Sequence, residues 1–228
     1  MTMAHALDRP IWTSLLSRHA ALAEGGALAK RYPADMSAFT ATGDETAESI
    51  AALGGLAARS GTLLLVQKDP LVFPVGFVPE VQATLVQMVA DGPVAFAEDE
   101  RILPLGRADA ADMLELAALT KPGPFSLRAQ DFGPFWGIRA NGRLVAMAGQ
   151  RMGQDGWREL SGVCVHPDAQ RQGLGRLMSL YGARKIQEAG DIAYLHAYAT
   201  NTPAIRLYES IGFALRETMN MAVIRKEG

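Results

Sequence analysis

The residues best suited to chemistry lie in a glycine-bearing segment between a predicted strand and a predicted helix. The strand ends at Val165 and the helix begins near Gly173. The first N–H groups of a helix have no internal partner and the helix dipole is positive there, so such a segment can bind an anion. Gly173 and Gly175 permit close approach of the backbone, and Arg171 and Arg176 add positive charge. The spacing therefore predicts a phosphate-binding loop.

Three interpretations of this loop compete. A Walker loop requires a lysine followed by serine or threonine, and neither pair follows these glycines. A Rossmann fingerprint requires a further glycine three residues after Gly175, where Met178 stands instead. The third interpretation is an ordinary helix N-terminus that contains two glycines, and the loop alone leaves it open.

Two motifs together resemble one protein family. The run QRQGLG, residues 170–175, resembles the QxxGxG acetyl-CoA loop of the GNAT N-acetyltransferase superfamily. The run NTPAIRLYESIGF, residues 201–213, is similar to the family's NxxAxxLYxxxGF element and follows at the expected distance. The resemblance covers residues from about 100 to 228 and implies a GNAT-type acyl-CoA N-acyltransferase fold.

The resemblance implies acetyl-CoA as co-substrate and no metal. The loop backbone is expected to hold the coenzyme's pyrophosphate, and the strand before it is expected to pair with the pantetheine arm, which fills a gap between two parallel strands that splay apart. Asn201 is equally suited to capping the helix that follows it. The residues expected to bind the coenzyme are Val163, Cys164, Val165, Gln170, Arg171, Gln172, Gly173, Leu174, Gly175, Arg176, Asn201, Ala204 and Tyr208.

Acyl transfer from a thioester to an amine needs a neutral amine, a stabilised oxyanion and a proton for the leaving thiolate. The resemblance makes Tyr208 the catalytic acid; the alternative is a ring that only packs in the core. Glu159, on the strand before the loop, is the predicted base, with a chain of waters or an exposed strand glutamate as alternatives. Alternation along that strand places Glu159 on the same face as Val163 and Val165.

The C-terminal half has the hydrophobic periodicity of an α/β domain. Its order of elements requires a mixed sheet with one parallel step across the helix that starts near Gly173. Asn141-Gly142 is a dipeptide favoured in tight hairpins. The predicted strands span 102–105, 135–140, 143–151, 157–165, 192–199 and 214–224, and the predicted helices span 108–119, 173–188 and 203–210.

The N-terminal half mixes helices and strands without a comparable motif. The periodicity predicts helices at 11–23 and 46–59, strands at 62–66 and 81–90, and an irregular segment at 69–79. Turn and charge signals between 90 and 100 predict an N-terminal α/β domain, 1–98, and an acetyl-CoA-binding domain, 99–228. An extra N-terminal domain resembles the branch of the superfamily that includes glycine N-acyltransferases, and such a domain could be a degenerate copy of the same fold.

Composition excludes several function classes. The 228 residues carry a net charge of −2, with 49% hydrophobic and 20% charged residues, which is typical of a globular protein. We expect no nucleic-acid partner and no membrane partner from this balance. The first ten residues lack the features of a secretion signal, and a single cysteine is typical of a reducing cytoplasm.

The sequence therefore predicts an N-acetyltransferase that moves an acetyl or short acyl group from coenzyme A to a primary amine by direct attack in a ternary complex. The amine would belong to a small molecule or a peptide. The alternative is an acyl-CoA-binding sensor or scaffold without turnover, which would need the same coenzyme residues. The N-terminal half could supply a homodimer interface. The predicted walls of the amine pocket are Lys121, Phe125, Arg128 and Trp136.

Overall fold

The computed structural model describes residues 5–57, 61–90, 92–95 and 98–227. The end of the helix predicted at 46–59, part of the boundary predicted between 90 and 100, and the first four residues lie outside this range. The α-helices are α1 (Pro10–Leu16), α2 (Ala47–Leu56), α3 (Ala110–Thr120), α4 (Leu174–Glu188) and α5 (Thr202–Ser210). The strands are β1 (Glu24–Gly25), β2 (Ala29–Arg31), β3 (Thr40–Thr42), β4 (Thr62–Gln67), β5 (Phe77–Ala90), β6 (Leu103–Leu105), β7 (Phe135–Ala140), β8 (Arg143–Gln154), β9 (Trp157–Val165), β10 (Ile192–Tyr198) and β11 (Phe213–Lys226).

The chain divides into two compact units. The first comprises the described residues of Met1–Gln87, Met152–Asp155 and Glu217–Gly228, and the second comprises those of Met88–Arg151 and Gly156–Arg216. These limits differ from the predicted boundary between residues 98 and 99, and the assignment of domains stays a prediction. Every residue predicted to bind the coenzyme falls in the second unit.

The strands of the second unit lie in the order β10-β9-β8-β7-β6. The pairs β6–β7 and β7–β8 are antiparallel, whereas β10 is parallel to β9. Helix α4 connects the two parallel strands, which cannot be joined by a tight hairpin. The predicted mixed sheet with one parallel step is confirmed.

Most predicted elements of this unit are confirmed within two residues. The hairpin between β7 and β8 turns at Asn141-Gly142, whose φ angles of 51° and 80° are those of a type I′ turn. Strand β8 is longer than predicted and reaches Gln154, because the chain turns at Asp155-Gly156 and not at Gly153.

The sheet of the second unit carries helices on both faces. Phe135 of β7 lies in a buried cluster with Met113 and Leu116 of α3. Its neighbour Trp136 points the other way, with its ring centroid 5.6 Å from that of Tyr181 in α4. Adjacent strand residues face opposite sides of a sheet, so α3 and α4 cover opposite faces. We refer to them below as the α3 face and the α4 face.

The first unit contains a small three-stranded sheet that was not predicted from the sequence. Strands β1, β2 and β3 are antiparallel neighbours of two or three residues each, too short to show a period of two. Helix α1 is shorter than the helix predicted at 11–23, and strand β5 begins four residues earlier than predicted. A second core in this unit joins α2 to the antiparallel pair β4 and β11 through Leu53, Leu63 and Ile224.

No helix of the described part of the chain is long and apolar enough to cross a membrane.

Candidate active site

The parallel strands β9 and β10 pair only at their beginnings. Their register runs from Trp157 opposite Ile192 to Glu159 opposite Tyr194, and within the described residues it ends there. Strand β9 nevertheless continues to Val165. The edge of β9 beyond Glu159 is therefore available to another hydrogen-bonding chain, at the place where the family resemblance expects the pantetheine arm.

The predicted phosphate loop follows the free end of β9. Helix α4 begins at Leu174, and its first backbone hydrogen bond runs from the Leu177 N–H to the Gly173 carbonyl at 3.0 Å. The helix itself thus leaves the N–H groups of residues 174–176 for a ligand. Arg171 and Gly173 have φ angles of 61° and 75°, and left-handed residues of this kind turn successive N–H groups towards one anion.

The loop faces the end of β9 and helix α5. A Cβ atom added at Gly175 would lie 3.8 Å from Cγ2 of Val165 and 3.9 Å from Cδ2 of Leu207, which are ordinary contact distances. Arg171, Gln172 and Arg176 are exposed. The geometry suits an anion held by backbone amides, with arginine side chains at its solvent side.

Strand β9 changes faces at Gly162. Leu160 points to α4, because a Cβ at Gly182 would come within 2.6 Å of its Cδ1. Cys164, four residues later, lies instead in the core cluster on the α3 face. Strict alternation would put both on one face, and the φ of 63° at Gly162 marks the bulge that breaks it.

The predicted arrangement of Glu159 is therefore wrong in one respect. Glu159 adjoins Leu160 and so lies on the α3 face, together with Cys164. Val163 and Val165, which flank Cys164, lie on the opposite face. The sequence does not reveal this arrangement. A glycine bulge shifts the alternation of side chains along the strand by one residue, and no polar residue marks the position of the shift.

Glu159 is fully buried and held by two side chains. Nε of Arg151 donates to its Oε2 at 2.8 Å, and Nη2 of Arg151 donates to its Oε1 at 2.7 Å. Nδ1 of His196 lies 2.8 Å from the same Oε1. Burial alone would raise the pKa of Glu159, but the charge and hydrogen bonds of Arg151, with those of His196, lower the pKa to about 2. These contacts disfavour Glu159 as a direct proton acceptor.

Tyr208 lies in the last turns of α5. Burial raises its pKa to about 12, and Cys164 is the other side chain that contributes to the shift. Its ring packs edge to face against Phe213, with centroids 6.0 Å apart. The hydroxyl is therefore neutral and able to donate a hydrogen bond throughout the neutral range. Burial raises the pKa of the Cys164 thiol to about 11, which makes that cysteine a poor nucleophile.

Asn201 caps helix α5. Its Oδ1 accepts a hydrogen bond from the Ala204 N–H at 3.2 Å. The capping role is confirmed, and the coenzyme role of both residues stays a prediction. The amide NH₂ of Asn201 can still donate to a ligand.

The predicted walls of the amine pocket divide between the two faces. Phe125 packs edge to face on Phe135, on the α3 face. Trp136 lies against α4 on the other face and is therefore separated from Phe125 by the sheet. Lys121 ends helix α3, and Arg128 forms an ion pair with Asp131 at 2.7 Å.

Two residues of the cluster around Glu159 were not predicted as functional. Arg151 is the last residue of the strand predicted at 143–151, and His196 lies inside the strand predicted at 192–199. Neither lies near Glu159 in sequence, and the contact depends on the register of three strands. In the part of the chain that the structure describes, no group of three His, Cys, Asp or Glu side chains could hold a metal ion.

Comparison with known proteins identifies the family. The family model described as FR47-like protein matches residues 135–222, a range that contains both motifs. A solved structure from Novosphingobium aromaticivorans, assigned to the GNAT family of acetyltransferases, has 36% sequence identity and a TM-score of 0.92. That match covers 99% of this chain and 100% of the other.

Two curated relatives match over shorter ranges. Mycothiol acetyltransferase from Nocardiopsis dassonvillei is 30% identical over 155 residues, which cover 61% of this chain and 47% of that protein. The [Ribosomal protein bS18]-alanine N-acetyltransferase of Escherichia coli is 37% identical over 90 residues, which cover 39% of this chain and 56% of that protein. The chain thus spans about half the length of these relatives. The full-length match and the two motifs on their expected elements show that this chain belongs to the GNAT family of acetyltransferases.

Proposed function

We propose that this protein transfers an acetyl group, or another short acyl group, from coenzyme A to a primary amine in a ternary complex. The observation that carries the proposal is the end of the β9–β10 pairing at Glu159 and Tyr194. Beyond that point β9 offers a backbone edge, α4 offers the amide groups of its N-terminus, and α5 carries a neutral tyrosine.

Acetyl-CoA would supply an acyl group already activated as a thioester. The backbone of Val163 and Val165 would pair with the pantetheine arm, because the edge of β9 no longer pairs with β10 there. The N–H groups of residues 173–176 would hold the pyrophosphate. Arg171 and Arg176 would add charge at the exposed side, where salt screens their contribution.

Tyr208 would assist departure of the thiolate. Burial raises its pKa to about 12, well above the ordinary thiol value of about 8.5, so complete proton transfer to the sulfur would be unfavourable. The hydroxyl therefore acts as a hydrogen-bond donor that stabilises charge on the sulfur while the carbon–sulfur bond breaks. The new bond forms between the amine nitrogen and the acyl carbon. The proton that the amine loses passes through a base or water to solvent, from which the released thiolate takes up a proton.

The acceptor is a primary amine of a small molecule or a peptide. One relative is named for mycothiol and another for an alanine of a ribosomal protein, so both classes occur among proteins similar to this chain. The segment after α3 would form one wall of the acceptor site, because Phe125 lies on the same face of the sheet as Cys164 and Glu159.

Calorimetric titration with acetyl-CoA tests the coenzyme site. Gly175→Asp places a carboxylate in the first turn of α4. The carboxylate interacts favourably with the helix dipole but repels a pyrophosphate. Gly175→Asn is the matched control, with the same size and no charge. We expect the wild type to bind acetyl-CoA with a micromolar Kd. The Kd of Gly175→Asp should be at least tenfold higher than the Kd of Gly175→Asn. Equal losses would contradict an anion at this position.

Thiol release from acetyl-CoA in the presence of amines then tests turnover. The probes are benzylamine, glucosamine and a peptide with an N-terminal alanine. Release that depends on one of these amines supports the transferase. Tight acetyl-CoA binding without release in the presence of any of them would contradict it and favour a sensor or scaffold.

A further inference from the structure

We propose that His196 takes the proton from the acceptor amine, and that Glu159, fixed by Arg151, orients its imidazole for that purpose. The inference deepens the proposed function and rests on it. It replaces the direct use of Glu159 as a base by a pair in which the carboxylate positions the histidine.

The hydrogen bonds around Glu159 determine the tautomer of His196. An ionised carboxylate only accepts hydrogen bonds, and Arg151 only donates them. The atom of His196 that faces Oε1 at 2.8 Å, Nδ1, must therefore carry a hydrogen. In the neutral imidazole the lone pair is then on Nε2, which becomes the basic atom.

His196 stands where the reacting atoms should meet. It lies two residues beyond Tyr194, the last residue of β10 that is in register with β9. The register of β9 and β10 ends there, and the acyl end of a coenzyme whose pyrophosphate lies at Gly173 would point towards it. Its partner Glu159 occupies the α3 face, together with Cys164 and with Phe125 of the segment after α3. The proton acceptor thus lies on the same face as the proposed wall of the acceptor site.

The surroundings of His196 suit proton transfer better than those of Glu159. Both oxygens of Glu159 are bonded to Arg151, whose guanidinium cannot lose its proton. The side chain of His196 is 4% exposed and is therefore shielded from bulk water. As the nitrogen–carbon bond forms, the amine proton moves to Nε2, and the resulting imidazolium is stabilised by the adjacent carboxylate before it releases the proton to solvent. In serine hydrolases a carboxylate likewise orients a histidine base and stabilises its imidazolium.

The tautomer can be measured without turnover. The chain has four histidines, and long-range ¹H–¹⁵N spectra of protein labelled in histidine distinguish the two neutral tautomers and the imidazolium. His196→Gln identifies the signal that belongs to His196. We expect the neutral imidazole of His196 to carry its hydrogen on Nδ1. A signal from the Nε2–H tautomer would overturn the proposal.

Kinetics test the role in proton transfer. With an amine that the wild type acetylates, His196→Gln should lower kcat about 100-fold while the Kd for acetyl-CoA changes less than twofold. Glu159→Gln should lower kcat less, because the imidazole stays but loses its fixed orientation. His5→Gln, in the first unit, is the control and should keep wild-type kcat.

The outcomes separate this inference from the proposed function. Wild-type turnover that persists in His196→Gln would overturn the role of His196 and leave the transferase intact. A wild type that acetylates none of the probe amines would overturn both. Retained acetyl-CoA binding by His196→Gln shows that its loss of turnover does not come from unfolding.

Discussion

Arg151 and Glu159 form a bidentate pair across β8 and β9, with two hydrogen bonds of 2.7 and 2.8 Å around a carboxylate that is fully buried. Removing two charges from water is costly, and a pair of this kind often contributes little net stability compared with apolar residues. The place of the pair in the sheet explains its presence better than a contribution to stability does. The pair fixes a carboxylate at the point where the parallel strands separate, and the carboxylate fixes His196.

Removal of Arg151 should destabilise the fold strongly. Arg151→Met leaves Glu159 buried without its cation, and the free energy of unfolding should fall by about 3–5 kcal/mol. Arg143→Met is the matched control, because Arg143 pairs with Asp168 at 3.0 Å while both side chains are more than half exposed. We expect the control to cost less than about 1 kcal/mol. Urea unfolding followed by tryptophan fluorescence measures both, and similar losses would contradict the buried pair.

The same pair predicts a pH dependence of stability. The pKa of Glu159 is about 2 in the folded protein and near 4.5 when the chain is unfolded, so the unfolded state binds the proton first as pH falls. The stabilisation is complete above about pH 5 and is lost as the pH approaches 2. It amounts to about 3 kcal/mol.

Glu159→Gln isolates this contribution, since the amide keeps the shape and does not titrate. The urea midpoint of the wild type should fall more steeply between pH 6 and pH 3 than that of the variant. Parallel curves for the two proteins would mean that Glu159 titrates at an ordinary pKa in the folded state.

The sequence predicted the fold better than it predicted the geometry of the site. Local signals sufficed for the hairpin at Asn141-Gly142, for strand β9 and for the glycines that begin α4. The two motifs could also be identified from the sequence, because each is a continuous run of residues. The contact between Arg151, Glu159 and His196 depends on the register of β8, β9 and β10, which a single sequence does not encode locally. The face of Glu159 was predicted wrongly because the bulge at Gly162 shifts the alternation by one residue.

Tyr208→Phe should separate turnover from coenzyme binding. The variant keeps the ring that packs on Phe213 and loses only the hydroxyl, so the Kd for acetyl-CoA should change less than twofold. We expect kcat to fall about 100-fold, as for removal of one donor to a developing charge. Tyr181→Phe is the control, because its ring packs on Trp136 on the α4 face. Equal losses of binding and turnover in Tyr208→Phe would assign the hydroxyl to binding alone.

The bulge at Gly162 can be tested by adding one methyl group. A Cβ there would lie 2.8 Å from Cε1 of Phe135, and the φ of 63° is unfavourable for any residue with a side chain. Gly190→Ala is the matched control, because Gly190 has a φ of 84° and no atom within 4 Å of the added Cβ. The control should cost about 1–2 kcal/mol, the strain of the left-handed backbone alone.

Gly162→Ala should lower the free energy of unfolding by about 1–3 kcal/mol more than the control does. Phe135 is buried between the sheet and α3 and cannot move aside without disturbing that core. Urea unfolding of the two variants gives the difference. If the bulge also sets the path of β9 beyond Glu159, Gly162→Ala should weaken acetyl-CoA binding while Gly190→Ala leaves it unchanged. A variant at Gly162 that unfolds and binds like the control would show that the alternation of β9 can be restored without consequence, and the bulge would then have no part in shaping the site.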